Sequence, residues 1–331
     1  MKRIALVLVV ALVFTVAFQE LSHGQTVNLK YGCTVAVDTP LYRSMVFFSN
    51  VVAARTGGKV QVKTYPLEQL GTSPELAQGL ANGTVDMAQI SPGELATVFP
   101  PFEFLDMPFL FNNLSQALKA IEGEVGEAIA KNLLKERGIN AMAYAYLGVR
   151  YVTSNKPLRT VDDLKGFKMR VWPAKVVAEG WKAVGANPTP MAFGELYTGL
   201  QQGVVEGQSN VLVNTYSKKF YEVQKYLNAF YDNFAITATC IHDKTLQKLP
   251  KEYQQIVIQA AKEAAAYGMG DTMTLEDSLM EKLKGHGMTL INVDPAVISK
   301  FQKMVYDTVP PKFEDRWGKE LFGKVRTLAG M

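Results

Sequence analysis

The sequence contains few cysteines and histidines, the residues that hold structural zinc. Only two cysteines and three histidines occur among 331 residues, and no CxxC pair or Cys/His cluster appears. A structural zinc site needs such ligands at short spacing, so we predict no metal and no cofactor. HExxH, GxSxG and Walker-type loops are missing too, which argues against the enzyme classes that carry them. A glycosidase built on two carboxylates stays open, because paired carboxylates have no sequence signature.

The chain also lacks a surplus of either charge. Lys and Arg together number 35 against 31 Asp and Glu, which gives a net charge of +4 without a basic block. Nucleic-acid binding needs clustered positive charge, so we predict no nucleic-acid partner. A content of 48% hydrophobic and 20% charged residues is typical of a globular protein. A chain of this length accommodates two domains.

Long apolar runs are absent except at the start of the chain. Lys2 and Arg3 precede an apolar run from residue 4 to 18, and the small residues Ser22 and Gly24 follow. This layout predicts a secretory signal peptide over residues 1–24. A helix of about 22 Å is too short for the hydrocarbon core, although an uncleaved anchor is the alternative. No later run reaches about 18 apolar residues, so we expect a soluble, exported mature chain.

Export bears on the two cysteines, Cys33 and Cys240. A disulfide is permitted in an oxidising compartment. Both cysteines lie in strand-like apolar runs, however, and the sequence does not give the distance between their Cα atoms. A disulfide and two buried free thiols therefore remain alternatives.

From Val27 onward, segments with the period of a strand alternate with segments of helical period. Strands are predicted at 27–37, 59–65, 85–90, 140–147 and 167–171, and helices at 39–55, 73–83, 114–137 and 160–165. This alternation predicts βαβ units, and hence an α/β fold with a mainly parallel sheet. The Pro- and Phe-rich segment 91–113 is predicted to be a buried connection. A second α/β unit begins near Gly148.

One predicted helix is unusually long. Apolar residues recur at helical spacing from Pro250 to Lys284, which corresponds to a helix of about 52 Å. A helix of this length is expected to run across both domains. Gly268 and Gly270 lie in its interior and predict a kink.

Several blocks of sequence occur in a fixed order. They are YPLEQLG at 65–71, GTVDMA at 83–88, VRYVTSNKP at 149–157, GFKMRV at 166–171, GANPTPMAF at 185–193, VEGQSN at 205–210 and KFYEVQKY at 219–226. Together they resemble the DctP-type extracytoplasmic solute-binding proteins of TRAP transporters, over about residues 29–290.

The resemblance implies a two-domain periplasmic-binding-protein (Venus-flytrap) α/β fold with a long helix spanning both domains. Residues 25–147 plus 236–275 are expected to form domain I, and residues 148–235 plus 276–331 domain II. Hinges are expected near Gly148 and near 233–237. The implied function is to carry an organic acid through the periplasm to the membrane permease subunits of a TRAP transporter, as a monomer.

Arg170 is the principal candidate for ligand binding. It matches the arginine with which the family pairs the substrate carboxylate. The residue pattern supports this role. The period of two in a strand places Arg170, with Lys168, on one face. The apolar residues Phe167, Met169 and Val171 lie on the other. Open α/β sheets bind ligands at strand ends, and a guanidinium holds a carboxylate through two parallel bonds. A solvated surface arginine is the alternative.

Further candidates follow from the same resemblance. Arg150, Asn210 and Phe193 match family positions that contact the ligand, although a rim charge, a turn residue and core filler are their alternatives. Gln69 and Ser91 follow strands of the first domain and are expected to supply hydrogen bonds, or else to be plain loop residues. Trp172 departs from the family pattern. Its side chain is expected to narrow the cleft or to stack on a planar acid, and the alternative is that it turns into the domain core.

The sequence thus predicts a periplasmic binding protein and not an enzyme. A secreted enzyme acting on small acids, or a binding protein that serves a sensor kinase, are the alternatives. The acid itself stays open among C4-dicarboxylates, 2-oxo or hydroxy acids, sugar acids and aromatic acids. Arg150 favours a ligand with a second polar or anionic end, whereas Trp172 favours a planar one.

Overall fold

The structure is a computed structural model that describes residues 26–330. The predicted signal peptide lies outside the described residues. Within them the strands are β1 (Val27–Gly32), β2 (Val60–Tyr65), β3 (Met87–Ile90), β4 (Ile139–Ser154), β5 (Lys168–Val171), β6 (Asn187–Pro190), β7 (Gly207–Val211), β8 (Tyr226–Ala229), β9 (Phe234–His242) and β10 (Thr289–Asn292).

Helices alternate with these strands along most of the chain. They are α1 (Pro40–Arg55), α2 (Ser73–Asn82), α3 (Pro92–Leu95), α4 (Leu114–Glu122), α5 (Glu124–Arg137), α6 (Lys175–Ala183), α7 (Leu196–Gln201), α8 (Leu212–Ser217), α9 (Asp243–Gln247), α10 (Lys251–Gly285), α11 (Pro295–Thr308), α12 (Glu314–Trp317) and α13 (Lys319–Ala329). Local signals set their ends. Thr39 accepts the amide of Tyr42 at the start of α1, and Gly83 closes α2 in the left-handed conformation.

The strands form two sheet regions that share β4, a strand of 16 residues. The order β2-β1-β3-β9-β4 defines what we call the first lobe. The order β4-β7-β5-β6, with β8 and β10 on the other side of β4, defines the second lobe. The outer pairs β1–β2 and β5–β6 are parallel, whereas β4 runs antiparallel to β9 and β7. The sheet is therefore mixed, because the strands that link the lobes run in opposite directions.

The Pro- and Phe-rich segment between β3 and α4 is buried, as predicted. Phe102, Phe104 and Phe109 are each no more than 1% exposed. The Phe109 ring packs edge-on against Trp181 of α6, with 5.9 Å between ring centroids. One apolar core therefore continues from the first lobe into the second.

The long helix α10 confirms the prediction from residues 250–284. It packs on α1 in the first lobe, and its Leu279 and Leu283 belong to an apolar cluster of the second lobe. The helix is continuous through Gly268 and Gly270. A Cβ on Gly268 would lie 3.0 Å from the Cβ of Ser44, so this glycine lets α10 and α1 approach closely.

Several segments differ from the predictions. The strand predicted at 27–37 ends at Gly32, and the helix predicted at 160–165 is a single 3-10 turn, Asp162–Leu164. The predicted helix 114–137 is two helices, α4 and α5, because the chain is extended at Gly123. The predicted strand 140–147 continues to Ser154, since it crosses into the second lobe. The last helix, α13, packs on α4 and α5 of the first lobe, although 276–331 was predicted to belong to domain II. The domain boundaries themselves stay a prediction.

Candidate functional site

A cavity lies between the two lobes, where β4 and β9 pass from one to the other. Its volume is about 80 Å³, several times the roughly 10–15 Å³ that one water needs. It is lined from the first lobe by Cys33, Thr34, Val35, Leu41, Ser73, Gln89, Ser91 and Glu94, from the second by Arg150, Arg170, Trp172, Phe193, Asn210 and Asn214, and along the crossing strands by Leu147 and residues 235–237. Six of the seven predicted site residues thus meet in one place.

Arg170, near the end of β5, is only 3% exposed. Its Nε and Nη2 donate to the backbone carbonyl of Met191 at 3.1 and 2.8 Å. Among residues 26–330, no carboxylate oxygen lies within 4.0 Å of its guanidinium. Burial, followed by the charge of Arg150, lowers the pKa of Arg170 to about 9. A buried cation without a paired anion is costly, so this position favours an anionic ligand.

Arg150, on β4, has different surroundings. Its guanidinium carbon lies 3.9 Å from the centre of the Trp172 ring, a cation–π contact. Burial lowers the pKa of Arg150, while Asp232 and then Asp106 oppose this change. Burial raises the pKa of Asp106, and it raises the pKa of Asp232 to about 6. Two buried carboxyl groups therefore act electrostatically on this arginine. Among residues 26–330, however, no carboxylate oxygen lies within 4.0 Å of its guanidinium, and its Nη1 donates to the Ser209 carbonyl at 3.0 Å.

The Trp172 side chain has contacts on both its ring face and its indole nitrogen. Arg150 covers the ring, and the indole Nε1 donates to Oδ2 of Asp106 at 3.0 Å. The side chain is 5% exposed and lines the cavity, so it combines features of both alternatives drawn from the sequence. The face beneath Arg150 is not free to stack on a planar acid.

The facing wall, in the first lobe, carries hydroxyls and one carboxylate. Ser91 is the N-cap of α3, and its Oγ donates to Oε2 of Glu94 at 2.9 Å. The hydroxyl of Ser73 also interacts with the Glu94 carboxylate. Burial raises the pKa of Glu94, and these hydrogen bonds oppose the rise. This wall therefore presents hydrogen-bond acceptors toward the cationic wall.

Asn210 and Phe193 complete the second-lobe wall. Oδ1 of Asn210 accepts from the Val211 amide at 3.0 Å and from Nδ2 of Asn214 at 2.9 Å. Within the described residues the Nδ2 group of Asn210 has no partner, so it is available to a ligand. The ring of Phe193 lies 6.0 Å from the guanidinium carbon of Arg170 and forms an apolar flank.

Gln69 does not line the cavity; it lies exposed in the turn after β2. The two residues before it, Leu67 and Glu68, have φ of 54° and 61°, which turns the chain toward the other lobe. Oε1 of Glu68 accepts the amide of Gly194 at 3.1 Å. This loop therefore joins the two lobes at the rim instead of supplying a cavity residue.

Gln89, Ser73 and Glu94 also line the cavity, and none of the three was predicted as a site residue. Gln89 points from β3 and is 5% exposed. A signal for Glu94 was present, because the Ser91-x-x-Glu94 spacing is that of a capping box. That spacing predicts the contact between the two side chains, but not that both face the second lobe.

The donor set of the described residues gives no sign of a metal centre. No group of three or more His, Cys, Asp or Glu that could hold an ion occurs among residues 26–330. In the same range, none of the helices has the length and apolar content of a membrane span. Cys33 and Cys240 are buried free thiols, the second of the two alternatives. Burial raises the pKa of each to about 12, so neither is a thiolate nucleophile at neutral pH.

Two lobes, two crossing strands, a long bracing helix and a buried cation in the gap define a protein that binds solutes between its lobes. Residues 31–315 match the family described as bacterial extracellular solute-binding protein, family 7. The chain belongs to this family, the DctP-type proteins of TRAP transporters, as its sequence blocks predicted.

Individual proteins support the assignment. The chain is 34% identical to a solute-binding protein of Roseobacter denitrificans, over 92% of this chain and 91% of that protein. The sugar acid binding protein DctPAm of Advenella mimigardefordensis, in complex with galactonate, matches with a TM-score of 0.87 and 27% identity, over 92% and 98% of the two chains. A TRAP periplasmic solute-binding protein of Sulfurospirillum deleyianum with bound succinate gives 0.85 and 30%, over 92% and 100%. The predicted two-domain α/β fold is confirmed.

Proposed function

We propose that the protein captures a small organic acid between its lobes and delivers it to a TRAP-type permease driven by an ion gradient. The observation that carries this proposal is the buried guanidinium of Arg170, which within residues 26–330 donates to a backbone carbonyl and has no carboxylate oxygen within 4.0 Å. Galactonate and succinate, held by the two similar structures, are both carboxylates. An anion at Arg170 would remove the cost of the unpaired charge.

The ligand carboxylate would be held by the guanidinium donors of Arg170 that Met191 does not use. Charge-assisted bonds of this kind contribute about 1.5–3 kcal/mol each. Asn210 would donate its free amide group, and Phe193 would exclude water from one side. Arg150 and Ser91 would meet the remaining part of the ligand from the two opposite walls.

Binding would be coupled to closure of the lobes. We place the domains at 25–147 plus 236–275 and at 148–235 plus 276–331, with hinges near Gly148 and 233–237. Gly148 has a φ of 124°, and Glu276 of α10 accepts the amide of the next residue, Val149, at 3.2 Å. A ligand that touches both lobes only in the closed form shifts the equilibrium toward that form.

Membership of the family supports a proposal for the location and the partner. We propose that residues 1–24 direct the chain to the periplasm and are removed there. The mature protein would act as a monomer that presents its closed form to the permease subunits. A sensor kinase as the partner would require the same closed form, and measuring permease-dependent uptake in cells distinguishes the two.

We propose that the protein is not an enzyme. The cavity side chains bind and orient an acid, and the thiol of Cys33 is held in its neutral form by burial. An enzyme would convert a bound acid during long incubation. Recovery of the ligand unchanged, judged by mass spectrometry, is the expected result.

Thermal unfolding of the mature protein against a panel of organic acids tests the proposal. A ligand at 100 times its dissociation constant stabilises the protein by about 2.7 kcal/mol. Arg170→Met should abolish this effect for every acid, whereas Arg159→Ala, an exposed arginine of the same lobe, should preserve it. Stabilisation by an uncharged ligand alone, or unchanged binding in Arg170→Met, would refute the proposal.

A further inference from the structure

The charges around the cavity favour a ligand with one carboxylate. Two guanidinium groups, Arg150 and Arg170, face the gap from the second lobe. Asp106 and Asp232 already stabilise the charge of Arg150, and Glu94 adds a carboxylate on the opposite wall. The surroundings therefore hold more carboxyl groups than cations. A second ligand carboxylate that extends toward the first lobe would approach the carboxyl group of Glu94, which lines that wall of the cavity.

Glu94 is placed differently from an ordinary capping glutamate, and Glu75 provides the comparison. Glu75 follows Thr72 at the same spacing, accepts the Thr72 backbone amide at 2.7 Å, and its pKa is lowered mainly by that bond. Both glutamates accept the hydroxyl of their cap residue, but Glu94 lines the cavity and has a pKa raised by burial. The Glu94 side chain is therefore directed toward a ligand position and not only toward the helix end.

An ionised carboxylate accepts hydrogen bonds and donates none. The Ser91 hydroxyl occupies one acceptor position of Glu94, and a carboxylate has about four such positions. The remaining positions suit hydroxyl donors of a ligand. The opposite wall supplies a donor, the free amide group of Asn210, which suits hydroxyl oxygens. The lining therefore matches a chain of hydroxyl groups attached to one carboxylate.

We propose that Glu94 selects hydroxylated monocarboxylates of the sugar-acid class and rejects dicarboxylates of the same length. This inference rests on the proposed function, because it takes the carboxylate at Arg170 as given. Glu94 acts by accepting ligand hydroxyls and by repelling a second negative charge. A planar aromatic acid is disfavoured as well, since Arg150 covers one face of Trp172.

Four six-carbon acids separate the two effects by isothermal titration calorimetry. Galactonate has hydroxyls and one carboxylate, galactarate has hydroxyls and two, hexanoate has one carboxylate without hydroxyls, and adipate has two. Wild-type protein should bind galactonate about 10- to 100-fold more tightly than each of the other three, the factor expected for charge-assisted hydrogen bonds. Tighter binding of galactarate or adipate would overturn the inference without any variant being made.

The variant Glu94→Gln sharpens the test. It should weaken galactonate binding about 10-fold or more and should narrow or invert the preference over galactarate. Glu75→Gln, the matched control, should leave both affinities unchanged. An unchanged ratio of the two affinities in Glu94→Gln contradicts the inference. Circular dichroism of both variants checks the fold.

The inference and the proposed function fail in different ways. If none of the four acids binds but another carboxylate binds in an Arg170-dependent manner, the selectivity assigned to Glu94 is wrong and acid capture stands. If no carboxylate binds at all, both are wrong.

Discussion

Two arginines reach the same cavity from neighbouring parts of the second lobe, yet their surroundings differ. Arg150 has Trp172 against its flat face and two carboxyl groups, Asp106 and Asp232, within electrostatic reach. Arg150 and Arg170 each donate to a backbone carbonyl, of Ser209 and Met191 respectively. Burial, however, lowers the pKa of Arg170 to about 9, and the carboxylates that oppose this change are Glu94 and Glu68. The comparison shows that position in a cavity does not by itself make an arginine a ligand anchor. What matters is whether the protein has already supplied the counter-charge.

The largest expected effect is a contrast in stability between the two arginines. Arg150→Met removes the cation beside Asp106 and Asp232 and should lower the free energy of unfolding by about 3–5 kcal/mol at pH 8. Arg170→Met removes an unpaired buried charge and should leave the stability of the ligand-free protein unchanged or higher. Urea titration monitored by circular dichroism measures both. Equal losses in the two variants would mean that the two environments are not distinct.

The carboxyl group of Asp232 offers the next test, through its pH dependence. Its folded-state pKa, near 6, lies above its ordinary value of 3.8, so the folded state binds this proton more tightly than the unfolded chain. The stabilisation is full below the ordinary pKa and is lost as the pH rises through 6. Relative to Asp232→Asn, the wild type should therefore lose about 2.4 kcal/mol of unfolding free energy between pH 4 and pH 7.

The check on Asp232 is a series of urea titrations of both proteins across this range. A pH-independent difference would show that Asp232 is solvated, and that Arg150 lacks a buried partner. The difference in unfolding free energy between the two proteins at any single pH does not report the pKa of Asp232, because the substitution also changes the hydrogen bond that Ser209 donates. Only the change of this difference with pH does so.

A smaller effect should follow from changing the shape of the anchor while keeping its charge. Arg170→Lys retains a cation but loses the planar fork that binds a carboxylate through two parallel bonds. Affinity for the preferred acid should fall about 10- to 100-fold. Calorimetry of Arg150→Lys provides the comparison, and a larger loss there would reverse the roles of the two arginines.

The smallest expected effect concerns the contact between the lobes at the rim. Glu68→Ala removes the acceptor of the Gly194 amide and a negative charge that acts on Arg170. One hydrogen bond of about 1 kcal/mol corresponds to roughly a fivefold change. Ligand release, followed by stopped-flow fluorescence, should be faster by about that factor. The exposed Glu195→Gln on the same rim should release at the wild-type rate.

Much of the fold could be predicted from the sequence because its signals are local. The period of α10 covers its whole length, so its bounds were predicted within one residue. The end of α2 at a left-handed glycine depends only on neighbouring backbone. The relative direction of the strands was harder to predict. Whether β4 pairs with β9 in an antiparallel manner depends on residues about 100 positions apart in the chain, for which a single sequence gives no signal.

The site residues also fall into two groups, those that local sequence patterns predict and those that only the folded structure reveals. The sequence by itself determined that Arg170 stands near the end of a strand, since alternation and a following turn are written in consecutive residues. Only the tertiary structure decided that Glu94 faces Arg170 across the gap, that Asp106 and Asp232 accompany Arg150, and that Gln69 stays outside. The charge that lines a cavity is the sum of contributions from residues in distant segments of the chain. Which segments meet is decided by tertiary packing, and no local sequence pattern encodes it.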